Sequence, residues 1–244
     1  MSRSNQTDIV NPSAHFIEWK GEKGVLRYFD KAKGEKGENV IIPVPFKFLV
    51  LDTLSTIKGY SDADQSGYWS NEIRNIKEDN LIVRTKKGKA SEGSYDKVMM
   101  ECKGAKYTQS VYIAMRDNGK LVLANLQLFG CAVSAWIEFR KKNKNIYKGA
   151  VEITGSIEGH KGNTTFFSPE FKMIETQPET DTQAKELDKE LQTYLTAYFG
   201  KAKEHSDIPE HIDTEYPPMP DVDPFPPSDD FHNVEQLPDE EGLF

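Results

Sequence analysis

The last forty-one residues decide where the rest of this chain can fold. Positions 204 to 244 hold eight of the thirteen prolines and thirteen of the 39 acidic residues, with no Lys or Arg. Proline lacks the amide proton that a helix interior or central strand needs, and the carboxylates repel one another, so this segment is expected to be disordered. Folding is confined to the residues upstream. That body keeps all 31 basic residues against 26 acidic ones, a net charge of +5 that the whole-chain value of −8 conceals. About 200 residues suffice for one sizeable core.

The opening, Met1 to Asp8, has no apolar signal region, and no stretch approaches the roughly 18 apolar residues of a membrane span. A soluble, non-secreted, cytoplasmic protein without a membrane partner is expected. Cys102 and Cys131 lie far apart with no Cys-x-x-Cys spacing, which predicts reduced thiols rather than a zinc cluster or a disulfide framework. No cofactor and no metal site are expected.

Residues 14 to 29 read as two strands, His15 to Lys20 and Val25 to Phe29, joined by the turn Gly21-Glu22-Lys23-Gly24. Lys31 to Glu38 is a charged loop. Val40 to Leu54 is almost continuously apolar but broken by Pro43 and Pro45, which predicts an edge strand leading into a buried central one. Beyond the polar loop Ser61 to Ser66, Gly67-Tyr68-Trp69-Ser70 sets two large rings beside a turn. Leu81 to Lys87 is a strand that turns Arg84 and Lys86 to one face, and residues 88 to 94 form a loop. Asn118-Gly119 supplies the positive φ angles of a tight turn, so Tyr107 to Arg116 and Leu121 to Leu128 make a hairpin. On its first strand Lys106, Tyr112 and Arg116 share one face, while Val111, Ile113 and Met115 point to the core.

Cys131 to Lys142 carries Val133, Trp136 and Ile137 at helical spacing, with Trp136 in the core. Its end bears the basic run Arg140-Lys141-Lys142-Asn143-Lys144, with Lys148 beyond, which answers the negative end of the helix dipole or contacts a polyanion. Ala150 to Ile157 and Thr164 to Phe167 are two more strands. Asp181 to Gly200 is an amphipathic helix whose stripe of Ala184, Leu187, Leu191, Leu195 and Tyr198 packs on the sheet or pairs with a second copy in a homodimer. The expected organisation is a flexible N-terminus (1–13), a β-rich domain (14–175), the helix (180–203) and the acidic arm (204–244). Five or more strands with one internal helix fit a mainly β fold, a small partly open barrel of the oligonucleotide-binding (OB) type, among other β-rich folds.

The chain ends Asp239-Glu240-Glu241-Gly242-Leu243-Phe244, an acidic triplet closed by an aromatic ring beside the α-carboxylate. Such a tip suits capture in a pocket that takes both ring and carboxylate. Here the chain resembles the single-stranded DNA-binding proteins of bacteria and tailed phages, which commonly end in an acidic run closed by Phe; Leu243 stands where the bacterial form usually has Pro. Phe46-Lys47-Phe48-Leu49-Val50-Leu51-Asp52, Gly67-Tyr68-Trp69-Ser70-Asn71-Glu72 and Ala135-Trp136-Ile137-Glu138-Phe139 look like the tailed-phage proteins, over residues 14 to 170. The resemblance implies a non-catalytic OB-type domain that coats single strands in DNA replication, recombination and repair in an infected host cell. It also implies that the tip residues Asp239, Glu240, Glu241, Leu243 and Phe244 recruit replication or recombination proteins.

Binding single strands without sequence choice needs Lys and Arg along the backbone path and aromatic faces on which bases stack. Trp19, Tyr28, Tyr60, Tyr68, Trp69 and Tyr112 are the candidate stacking rings, and Lys58, Arg74, Arg84, Lys86, Lys106 and Arg116 the candidate phosphate contacts. Trp69 and Tyr60 at loops, and Tyr112 on a basic strand face, are the leading rings. Two other readings share some of these residues. A phage strand-annealing recombination protein would use the same groove but assemble on DNA. A Mg²⁺-dependent nuclease would need Asp62, Asp64 and Glu72 to converge on the ion. A flexible arm of about forty residues has a reach of roughly 35 Å, so the acidic tail is expected to compete with DNA for the basic groove. Deleting residues 235 to 244 is therefore expected to tighten DNA binding at low salt and to abolish partner recruitment; unchanged low-salt affinity in a fluorescence titration would refute the competition.

Overall fold

The computed structural model describes residues 10 to 34 and 36 to 204, so the acidic arm and the tip residues Asp239, Glu240, Glu241, Leu243 and Phe244 lie outside the described residues. The strands are β1 (His15–Lys20), β2 (Val25–Asp30), β3 (Glu38–Ile42), β4 (Phe46–Ser61), β5 (Ser66–Ser70), β6 (Leu81–Thr85), β7 (Gly88–Gly93), β8 (Ala105–Asp117), β9 (Lys120–Phe129), β10 (Ala150–Lys161) and β11 (Thr164–Ile174). Helix α1 (Tyr95–Glu101) precedes β8, α2 (Cys131–Lys142) and a 3₁₀ turn (Ile146–Lys148) precede β10, and α3 (Pro178–Glu204) follows β11.

All eleven strands join one open sheet in the order β3-β2-β1-β9-β8-β4-β5-β6-β7, with β10 and β11 branching from β4. The chain is mainly β, as its alternating patterns predict. Every pairing is antiparallel except that of β1 with β9. Strand β4 is long enough to serve three neighbours. Its start pairs with β10, its middle with β8 and its end with β5. The spatial order β10-β4-β8-β9 has the Greek-key arrangement, with β5, β6, β7 and α1 inserted between β4 and β8 and β10 returning beside β4.

Alternation along the strands separates two faces. The inner face carries Trp19, Phe48, Val111, Ile113 and Leu126, which pack with Trp136 and Phe139 of α2 in the main core. At the far end of β4 a second core gathers Ile57, Tyr68, Leu81 and Val83 under Val98 of α1. The outer face is covered at one end by α3, whose Leu191 and Leu195 are fully buried against Leu54, Tyr112 and Leu123. The amphipathic stripe thus packs on the sheet. The helix begins at Pro178 rather than Asp181, because a proline in the first turn sacrifices no intrahelical hydrogen bond.

Several stretches differ from their sequence patterns: α1 is additional, and β10 and β11 run on to Lys161 and Ile174, past the expected Ile157 and Phe167. Gly67 to Ser70 belongs to a strand, β5, instead of flanking a turn, and residues 88 to 93 form β7 instead of a loop. Lys86-Lys87 is a two-residue connection that folds β7 back on β6, so pairing defines a strand whose own small, polar residues show no apolar alternation. Among the described residues no helix is long and apolar enough to cross a membrane.

Leu195→Ala is expected to lower global stability by about 2–5 kcal/mol, the cost of a cavity beneath a buried leucine. Urea unfolding followed by circular dichroism checks this, and an unchanged midpoint would show α3 to be a detachable appendage.

Candidate nucleic-acid interface

Residues directly opposite each other on paired strands share a face. The registers Lys106↔Lys58, Lys58↔Trp69, Trp69↔Arg84 and Arg84↔Lys89 therefore line up five side chains in one row across β8, β4, β5, β6 and β7. With neighbouring strands about 4.8 Å apart, the row spans roughly 19 Å. It lies on the outer face, beyond the end that α3 covers, because Lys58 and Lys106 fall in phase with Leu54 and Tyr112. Four cations flank one indole.

The local sequence explains the row. Gly59 (φ 156°) and Gly104 (φ 87°) sit beside its first pair, and a Cβ at either would strike backbone of the neighbouring strand, so only glycine lets β4 approach the start of β8 here. Tyr60, two residues beyond Lys58, lies opposite Gly67 and diagonal to Trp69, placing a second half-buried ring next to the first. The Tyr60 hydroxyl lies 3.5 Å from Oε1 of Gln65. Lys86 is exposed at the turn after β6, where its amide donates to Oγ of Ser66 at 3.0 Å. Arg84 and Lys89 are exposed, and Lys89 pairs with Glu92 at 2.7 Å.

Lys58 and Lys106 face each other as like charges on adjacent strands. Burial holds the Lys58 ammonium down to about 8, against the opposing pull of Glu18 and Glu72, and Nζ donates to Oε1 of Gln127. Burial also lowers Lys106. Beside this pair Glu18 binds Lys20 at 3.1 Å and Arg27 at 2.8 Å.

Glu72 closes the row toward α3. Its carboxylate accepts from Oγ of Ser110 and from the Tyr112 hydroxyl at 2.6 Å, and its amide donates to the Tyr198 hydroxyl at 2.8 Å. Burial pushes the Glu72 carboxyl above the ordinary range, outweighing its hydrogen bonds and Lys58. One side chain thus ties the β5–β6 loop to β8 while its backbone ties that loop to α3.

The sequence candidates divide accordingly. Trp69, Tyr60, Lys58, Lys106, Arg84 and Lys86 are brought together. Trp19 is a core residue, its indole N–H donating to the Phe167 carbonyl at 2.7 Å. Tyr68 points to the second core, since alternation along β5 sends it to the face opposite Trp69. Tyr112 does lie on the face of Lys106, but α3 covers it completely, and burial with the Glu72 charge pushes its hydroxyl far up. These three rings are removed from the surface. Tyr28 packs half-buried beside His15, ring centroids 4.3 Å apart, on the inner side of β2. Arg74 is engaged by Asp52 at 3.0 and 3.3 Å, with its guanidinium 5.3 Å from the Phe199 ring centre. Arg116 binds Gly119 O and Thr180 Oγ1 at the other end of β8. Lys89 was not a candidate; its signal was the Lys86-Lys87-Gly88-Lys89 run, which a hairpin reading would have folded back beside Arg84.

The three carboxylates considered for a metal do not converge. Asp64 binds Thr85 and Lys87, each at 3.0 Å, while Glu72 lies under α3. Among the described residues no cluster of His, Cys, Asp or Glu is arranged to hold a metal ion.

No family model matches this chain, and neither does any curated protein or solved structure.

The Lys58 environment has a measurable consequence. Between pH about 8 and 10.5 the folded state holds this lysine neutral while the unfolded chain keeps it charged. The unfolded state then binds more protons, so stability rises with pH in that window. Urea unfolding from pH 7 to 10.5 is expected to show a slope shallower by up to one proton in Lys58→Met than in the wild type; identical slopes would show that Lys58 is not desolvated.

Proposed function

We propose that this chain is a non-catalytic, sequence-nonspecific single-stranded DNA-binding protein that coats and protects single strands in replication, recombination and repair. The observation that carries the reading is the cross-strand row, in which Lys106, Lys58, Arg84 and Lys89 flank Trp69 with Tyr60 diagonal to it. Lys58 and Lys106 stand opposite each other on neighbouring strands with burial holding both below the usual lysine range, and a phosphate backbone would add to the negative charge that Glu18, Glu72 and Glu22 already bring to them. The rings offer stacking surfaces that accept any base.

The topology favours the same reading. A Greek key of β4, β8, β9 and β10 with α2 before the fourth strand fits an OB-type barrel, with β11 as its fifth strand. In such barrels the face of the second and third strands and the loops after the first and fourth bind oligonucleotides. The β5–β6–β7 extension, which carries Trp69, Arg84 and Lys89, is the first of those loops grown into sheet. In this reading the acidic tip recruits partner proteins once DNA occupies the row.

Fluorescence titration of the full-length protein with labelled oligo-dT and a matched duplex, at two salt concentrations with Mg²⁺ present, tests the proposal. Expected are preference for the single strand, weakening with salt, and intact DNA afterwards. Trp69→Ala should weaken binding about fivefold to a hundredfold, as loss of one stacked base costs about 1–3 kcal/mol. Equal affinity for duplex, or an unaffected Trp69→Ala, would overturn it.

A further inference from the structure

The end of α2 carries a second concentration of the same chemistry, far from the row. Arg140, Lys141 and Lys142 occupy the last turn, and Lys144 and Lys148 follow, with no acidic residue between Glu138 and Glu152. Among the described residues no carboxylate forms an ion pair with any of the five. The three cations in the last turn complement the helix dipole. That account does not extend to Lys144 and Lys148, which lie beyond the helix.

Between those two stands Tyr147, 54% exposed, in the 3₁₀ turn. The turn is firmly placed. Ile146 is buried in the main core, Asn143 Nδ2 donates to the Phe139 carbonyl at 2.9 Å, and the Lys148 amide donates to the Asn145 carbonyl at 2.9 Å. Because Ile146 takes the inward position, its neighbour Tyr147 is turned outward. An isolated exposed ring is ordinary on a protein surface. A ring held outward by a rigid turn and bracketed by lysines repeats the arrangement of Trp69 between Lys58 and Arg84.

The two sites cannot be occupied by one short ligand. Val151, three residues after Lys148, pairs with Phe48 near the start of β4, whereas Lys58 lies ten residues further along that strand. The distance along β4 is therefore up to about 33 Å. The row lies on the outer face and α2 packs on the inner one.

We infer that Tyr147, with Arg140, Lys141, Lys142, Lys144 and Lys148, forms a second contact site for single-stranded nucleic acid, reached by a strand that continues past the row. The inference rests on the proposed DNA-binding function and adds a footprint to it. A short oligonucleotide fills the row alone; a longer one wraps around the end of β4 to Tyr147.

The test uses the full-length protein with oligo-dT of about 6 and about 30 nucleotides, bracketing the roughly 4–16 nucleotides that one OB-type domain covers. The variants are Tyr147→Ala and the double variant Lys144→Gln/Lys148→Gln, which spares the cations at the helix end. Expected is unchanged affinity for the short oligonucleotide and at least fivefold weaker binding of the long one. The double variant should also lower the salt slope for the long oligonucleotide by roughly 1.4, at about 0.7 per phosphate contact on a single strand. Unchanged long-oligonucleotide binding and slope would overturn the second site, as would equal losses at both lengths. If the wild type binds neither oligonucleotide, the DNA-binding reading itself falls and the second site with it.

Discussion

The structure depends on β4 being shared. A sixteen-residue strand that pairs in turn with β10, β8 and β5 cannot lie flat in one sheet layer, so its two halves serve different cores. Phe46, Phe48 and Val50 belong to the main core under α2, and Ile57 belongs to the core under α1. A register bulge falls between Val50 and Asp52, and a bulge bends a strand and sharpens its twist. Everything distal to it, including Lys58 and the row, is re-aimed relative to the first half. The candidate face is thus a by-product of how one strand satisfies three neighbours.

Polar groups, not apolar ones, finish the outer face. Where α3 ends its leucine contacts, the sheet presents Ser110, Asn125 and Gln127, and these feed into Glu72 and Lys58: Asn125 Nδ2 donates to Ser110 Oγ at 2.6 Å and Ser110 in turn to Glu72. Asn11 Nδ2 reaches the Tyr112 hydroxyl at 3.0 Å from the other side. Asn125 Oδ1 is buried without a hydrogen-bond partner among the described residues, a cost that the network carries. Its carboxylate and ammonium are both shifted toward their neutral forms by burial, and each is favoured in its charged form by the other. The network meets α3 at Tyr198, whose hydroxyl accepts from the Glu72 amide.

The β framework was legible because hairpin chemistry is local. Asn118-Gly119 identified β8 and β9, and the helical spacing of Val133, Trp136 and Ile137 gave α2 its limits. Residues 88 to 93 were illegible because β7 has no apolar period of its own and exists through pairing with β6. The candidate rings show the same division. Trp69 and Tyr60 were expected at loops but lie in β5 and β4, whereas the fate of Tyr112 depended on a helix some seventy residues later. Face assignment on β8 was right: Lys106, Tyr112 and Arg116 do share a side. What alternation cannot reveal is which part of that side another element covers.

The cost of the row argues that it is not an accident of surface composition. Exposed lysines on a sheet are energetically cheap, since water keeps them charged. Lys58 and Lys106 are instead half-withdrawn from water and set opposite each other, and burial drives both toward neutrality. Natural sequences break local rules of this kind chiefly where function requires it. In the proposed function a phosphate arriving beside them would favour the protonated amines against that burial. In that proposal Trp69, opposite Lys58 on β5, would stack on a base while the cations on either side hold the backbone. In the proposed function the four cations, spread over β8, β4, β6 and β7, would offer a chain of phosphates contacts transverse to the strands, which a cluster on one strand, alternating between faces, could not.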